Sequence, residues 1–235
     1  DSSGHPLAWT LIEDISERKK IDRMKNEFIS TVSHELRTPL TSISGSLGLV
    51  DSGALGELPA KIGKMVSIAH RNSKQLKYLV DDLLDMEKLV SGKMTMKLKT
   101  ILASKVVEEI VEHLEPFALN QGVSIDVGST LEHPLARVDH DRLGQAVSNL
   151  LSNAIKFSPD GSRVKVWLVE QNSELQIRVS DQGPGVPDNF RSRIFQKFAQ
   201  ADSSDTRSKG GTGLGLAITK EIMEQMGGSV GFESP

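Results

Sequence analysis

The sequence predicts an α+β protein: an N-terminal helical hairpin that pairs with a second copy as a four-helix bundle, followed by an α/β sandwich. Apolar residues recur at threes and fours over two long stretches, from Ser16 to about Val50 and from Ile62 to Val90. At Ser91-Gly92-Lys93 the character changes, and helix-period and strand-period segments alternate from there on. Two antiparallel helices cannot by themselves enclose stripes this wide, so a second copy is the economical completion; packing on the chain's own second half is the alternative.

Residues 7–15 read as a strand running into a helix start, with Asp14 or Ser16 as the cap. The first helix then runs without a Gly to Pro39 and on to about Val50, with Ile21, Met24, Phe28, Val32, Leu36, Leu40, Ile43 and Leu47 on one stripe. At 1.5 Å per residue it is a rod of about 50 Å. Gly53, Gly56 and Pro59 break the pattern, and the second helix carries Ile62, Met65, Ala69, Leu76, Leu79, Leu83, Met86 and Val90. Beyond Lys93, residues 103–120 read as helix, 123–127 as a short strand and 139–157 as helix. Residues 163–170 and 174–181 form a hairpin across Gln171-Asn172-Ser173, and 213–226 are the last helix, so the strands are mostly antiparallel. Gln182 to Gly213 has no strong period and reads as a long functional loop.

Composition narrows the function. The 235 residues carry a net charge of −3, which gives no general pull towards nucleic acid. No cysteine is present, which excludes disulfides and thiolate metal sites and fits a reducing, cytoplasmic setting. No apolar run approaches the ~20 residues of a membrane span, so no membrane contact is expected within this segment, and the spans of any membrane-anchored parent would lie outside it. The start lacks a Met and a signal-peptide pattern, and the end at Gly231-Phe232-Glu233-Ser234-Pro235 falls inside a strand or turn, as in an excerpt.

Two regions carry chemistry. With His34 at zero on a helical wheel of about 100° per residue, the apolar stripe falls within roughly 60° of the opposite pole. His34 is therefore expected to face solvent, with Glu35 beside it and Arg37 and Thr38 one turn on. Pro39 can kink the helix there. None of the other histidines, His5, His70, His113, His133 and His140, has metal-ligand spacing. The helix 139–157 carries a polar stripe of Arg142, Gln145, Asn149, Asn153 and Lys156 opposite Leu143, Val147, Leu150 and Ala154. Paired Asn followed by Lys suit a metal-bound polyphosphate, since amide oxygens are hard ligands for Mg²⁺ and Lys adds a charge for phosphate.

Asp181-Gln182-Gly183-Pro184-Gly185 follows a strand directly; a carboxylate backed by glycines can accept from adenine's amino group while the backbone closes on the ring. Gly210-Gly211-Thr212-Gly213-Leu214-Gly215-Leu216 opens the last helix, where backbone amides and the helix dipole favour an anion.

In this order the residues resemble the catalytic core of a sensor histidine kinase of a two-component system. Ser33-His34-Glu35-Leu36-Arg37-Thr38-Pro39-Leu40 is similar to that family's H-box, and Asn149 to Phe157 to its N-box. Asp181 to Gly185 is similar to the first glycine box, Phe195-Gln196-Lys197-Phe198 to the F-box and Gly211 to Gly215 to the second glycine box. The resemblance covers residues 16–235; residues 7–18 resemble the exit of a PAS sensor domain. It implies a linker from an upstream sensor domain at 1–15, a homodimerising phosphotransfer hairpin at 16–92 and a Bergerat (GHKL) ATP-binding domain at 93–235, with one more strand beyond Pro235.

The resemblance implies that ATP with Mg²⁺ phosphorylates His34, with Glu35 as general base, and that the phosphoryl group passes to an Asp of a response-regulator receiver. Asn153 would coordinate Mg²⁺ with support from Asn149, and Lys156 would meet the phosphates. Asp181 would read adenine beside Phe157, where many relatives have Tyr, with Gly183 and Gly185 closing the backbone. A lid from about Val186 to Thr212 would be anchored by Phe195 and Phe198, and Gly211, Thr212, Gly213, Leu214 and Gly215 would receive the phosphates. Glu35 and Thr38 also match the family's Glu-x-x-Thr pattern for dephosphorylating the regulator. Competing readings are an ATP-hydrolysing machine of the same superfamily, whose water-activating Glu is replaced here by Asn149, and a catalytically silent dimeric scaffold.

Overall fold

The computed structural model describes residues 16–90, 94–200 and 212–234, with side chains from residue 31 onward except at 34, 75 and 90. The expected strand at 7–15, the boundary at Ser91-Gly92-Lys93 and residues 201–211 of the expected lid, Gly211 among them, lie outside the described residues, as does the His34 side chain. By contact the chain divides into two compact units, Asp1–Val80 and Asp81–Pro235.

The first unit holds α1, Ser16–Asp51, and most of α2, Ala60–Val90. α1 is continuous through Pro39, with no break in its helical assignment. Ser33 and Leu40 are buried, while Glu35 and Thr38 are exposed. Much of the apolar stripe is also exposed: Val32, Leu36, Ile43, Ile62, Met65 and Leu76 each show more than a third of their surface. At the far end, His70 Nδ1 lies 2.9 Å from Asp51 Oδ2, and Ser67 donates to the same carboxylate.

The second unit is an α+β layer structure. Its elements are β1 (Lys99–Leu102), α3 (Ala103–Asn120), β2 (Ser124–Ser129), β3 (Leu135–Val138), α4 (His140–Phe157), β4 (Arg163–Gln171), β5 (Glu174–Ser180), the short α5 (Asp188–Arg191) and α6 (Gly215–Gln225). β2, β4 and β5 form one sheet in that order, β2 parallel and β5 antiparallel to β4. β1 pairs antiparallel with β3 in a separate ribbon. The hairpin and the helices other than α5 lie within two residues of their expected bounds; α5 falls in the segment Gln182 to Gly213 that reads as loop. β1 and β3 were not expected, because each is four residues long and finds its partner only across the intervening α3 and β2. The segment after α6 carries no strand as far as Ser234.

Alternation explains the layers. In β4, Val164, Val166 and Leu168 are buried, each 1% exposed or less, and they face Val106, Val107, Leu143, Val147, Leu151 and Ile155 of α3 and α4. A second apolar cluster joins Met86 and Leu89 to Ala146, Leu214, Ala217, Ile218 and Ile222. α4 therefore sits between two cores, and only a narrow stripe is left to it for polar work.

Candidate active site

α4 begins at a strong cap. Asp139 Oδ1 accepts from the N–H groups of Asp141 at 3.1 Å and Arg142 at 3.2 Å, and Oδ2 accepts from Lys97 N at 2.7 Å. Burial works against its charge, but these three backbone donors outweigh it and hold the carboxyl below its usual range.

The polar stripe of α4 divides in two. Arg142 Nη1 donates to Asp85 Oδ2 at 3.1 Å and to Gln145 Oε1 at 2.7 Å, and Gln145 Nε2 donates to the same Asp85 oxygen at 2.9 Å. Arg142 and Gln145 thus spend their polar atoms on the last turns of α2, where the sequence had grouped them with the three residues that follow. Asn149, Asn153 and Lys156 are half-buried on the next turns.

Asn149 Nδ2 donates to Gly215 O at 3.1 Å and approaches Thr219 Oγ1 at 3.4 Å; Thr219 in turn donates to Gly215 O at 2.9 Å. One side-chain amide thereby fixes the first turn of α6 against α4, and its Oδ1 is the acceptor that remains. Lys156 Nζ stands 5.1 Å from the Phe157 ring centroid, an inexpensive resting place for a cation.

The Asp181 loop closes on the end of α4. Asp181 Oδ1 accepts from Gly183 N at 2.7 Å, and Oδ2 takes no part in that bond. A Cβ on Gly183 would stand 2.7 Å from Asp181 Oδ1 and 3.0 Å from Phe157 O, so no side chain fits between loop and helix. Gln182 Oε1 accepts from Arg163 N at 3.0 Å and ties the same loop to β4.

The second glycine segment is built around Thr212. Its Oγ1 accepts from Leu214 N at 3.0 Å and donates to Asp82 Oδ2 at 3.1 Å. Leu214 is buried, while Gly213 and Gly215 sit at an intermediate depth. Phe198 N donates to Gly213 O at 2.9 Å, and a Cβ on Gly213 would approach Phe198 C to 2.8 Å. Phe198 itself has φ 60 and an exposed ring, whereas Phe195 packs edge-on against Phe232 at 6.1 Å.

The structure therefore brings Asn149 to Gly215, Phe157 and Asp181 to Gly183, and Phe198 to Gly213. Among the described residues no group of three His, Cys, Asp or Glu converges as a metal cage. A cation beside Asn153 would take most of its ligands from phosphate oxygens and water, which is the habit of Mg²⁺, so the amides present fit it. Asp82 and Asp85 were not singled out in the sequence, because their partners Thr212 and Arg142 lie far along the chain.

The comparisons with known proteins divide the chain in the same order. Residues 24–92 match the His Kinase A (phospho-acceptor) domain. Residues 138–235 match the histidine kinase-, DNA gyrase B- and HSP90-like ATPase family, and together the two cover well over half of the chain. Hybrid signal transduction histidine kinase D of Dictyostelium discoideum is 37% identical over 219 residues, which are 90% of this chain and 14% of that protein. The circadian input-output histidine kinase CikA of Synechococcus elongatus is 34% identical over 228 residues, 95% of this chain and 30% of that one. The chain thus spans less than a third of the length of either curated relative. Among solved structures, full-length ShkA in complex with AMPPNP superposes with a TM-score of 0.71 at 30% identity, covering 88% of this chain and 43% of that one.

Proposed function

The chain belongs to the histidine kinases, and from that premise we propose that it transfers the γ-phosphoryl group of ATP to His34 and then to an Asp of a response-regulator receiver. The observation that carries this reading is Asn149. In the water-activating relatives a Glu stands four residues before the metal-binding Asn; here Asn149 donates its amide to Gly215 O and has no basic group to offer water. The nucleotide site is thus furnished to hold ATP without hydrolysing it.

In this reading Asp181 Oδ2 accepts from the adenine amino group, Phe157 borders the base, and Lys156 leaves its ring for the phosphates. The backbone of Gly213 to Gly215 opens α6 toward the phosphates, where the helix dipole favours negative charge. Asn153, with Asn149 Oδ1 behind it, would hold Mg²⁺, which when bound neutralises phosphate charge. The neutral imidazole of His34 attacks the γ-phosphorus, the bond to the β–γ bridging oxygen breaks, and ADP leaves. Glu35 accepts from the ring nitrogen that does not attack and stabilises the positive charge that develops on the ring.

The exposed apolar stripe from Val32 to Leu76 supports dimerisation through the hairpin 16–92, because contiguous apolar surface of this extent is seldom left in water. Thr38, exposed one turn from His34, would orient a water that attacks the regulator's phospho-Asp and releases inorganic phosphate. An upstream sensor domain before residue 16 would drive the hairpin. The test is incubation with γ-labelled ATP and Mg²⁺. Acid-labile, base-stable label is expected on the wild type and none on His34→Gln; equal labelling of that variant would sink the assignment.

A further inference from the structure

The loop that follows Asp181 is held at two ends. At its first end, Asp181 and Phe157 confine Gly183. At its second end the partner is a residue far away in sequence. Ser234 Oγ accepts from Val186 N at 2.8 Å. The same oxygen stands 2.7 Å from where a Cβ on Gly185 would lie, and Gly185 has φ +75, so the hydroxyl fills the space that only a glycine leaves open.

Arg191 completes the clasp. Its Nη2 donates to Ser234 O at 3.0 Å, its Nε approaches Val186 O at 3.4 Å, and the same Nε lies 3.0 Å from Asp188 Oδ1. Two residues before Ser234, Phe232 meets Phe195 edge to face at 6.1 Å. Three pieces of chain are thereby joined: the loop Gly183–Val186, the short α5 with Phe195 behind it, and the segment 232–234. Val186, Phe195 and Phe232 belong to neither apolar cluster.

We propose that Ser234, with Arg191, is a positioning residue of the nucleotide site: through Val186 N and Gly185 it sets the loop that closes on the adenine base. This rests on the reading of Asp181 as the adenine acceptor. Ser234 acts on the loop through Val186 N and Gly185, so its removal loosens a prearranged wall and weakens binding without altering the phosphoryl-transfer step.

The test compares wild type, Ser234→Ala, Arg191→Ala and the double variant on the full chain. The dissociation constant for ADP is read by calorimetry, and KM for ATP and kcat are read from autophosphorylation. Loss of one neutral hydrogen bond to the loop in Ser234→Ala is expected to raise Kd and KM about three- to tenfold, and loss of the charge-assisted bonds in Arg191→Ala at least as much, with kcat within about twofold in both. The double variant is expected to lose less than the product of the single losses, because both residues act on one loop. Unchanged Kd in both single variants would overturn the inference while leaving the kinase reading intact, and so would a loss that fell on kcat alone. Failure of the wild type itself to bind ADP would remove both.

Discussion

Thr212 Oγ1 donates to the carboxylate of Asp82 at 3.1 Å while accepting from Leu214 N at 3.0 Å. A single hydroxyl thus joins the last turns of α2 to the start of α6, at the segment read as receiving phosphate. Burial pushes the Asp82 carboxyl up to about 6; the Thr212 bond pulls the other way, and Asp85 and Asp81 add repulsion. Because the folded value lies above the unfolded one, the folded chain binds more protons between about pH 4 and 6, and stability falls as pH rises through that window. Asp82→Asn keeps an acceptor for Thr212 and removes the charge. It should stabilise the protein at pH 8 by on the order of 1 kcal/mol, with the difference in melting temperature vanishing near pH 4. A variant no more stable than wild type at pH 8 would show that Asp82 is well solvated.

Asp139 behaves in the opposite sense. Its carboxyl is held below the usual range, so the stability it supplies is present above the unfolded value and is lost as pH falls through the folded one. Asp139→Ala leaves three partly buried backbone bonds without their acceptor and should cost about 1–3 kcal/mol at neutral pH. Urea unfolding should show the penalty at pH 7 and a smaller one at pH 3.

How far the sequence carried depended on whether a residue's partner was near in the chain. α4 was legible because its apolar and polar positions obey one period, and Asn149, Asn153 and Lys156 are half-buried along it. Gly183 was legible because Asp181 lies two residues away and makes the turn with it. β1 and β3 were not, since four residues do not establish a period and their pairing of Lys99 with Val138 is visible only in three dimensions. Arg142 was placed with the ligand stripe because nothing local reveals Asp85, 57 positions earlier in the chain. Ser234 was silent for the same reason: a serine 48 positions after Val186 has no periodicity to betray it.

The last prediction separates two roles of Asn149. As a tie, its Nδ2 holds Gly215 O and so the first turn of α6; as a cation ligand, its Oδ1 would support Asn153. Asn149→Asp replaces the donor by an oxygen, sets a negative charge against Gly215 O, and strengthens any interaction with Mg²⁺. If the tie dominates, the variant loses about 1–3 kcal/mol of stability and binds ADP more than about tenfold more weakly, whether or not Mg²⁺ is present. If the cation role dominates, binding without Mg²⁺ is unchanged and binding with it is altered. Titration of ADP with and without Mg²⁺ distinguishes these outcomes. The 3.1 Å bond to Gly215 O, made inside the protein with no cation involved, leads us to expect the first.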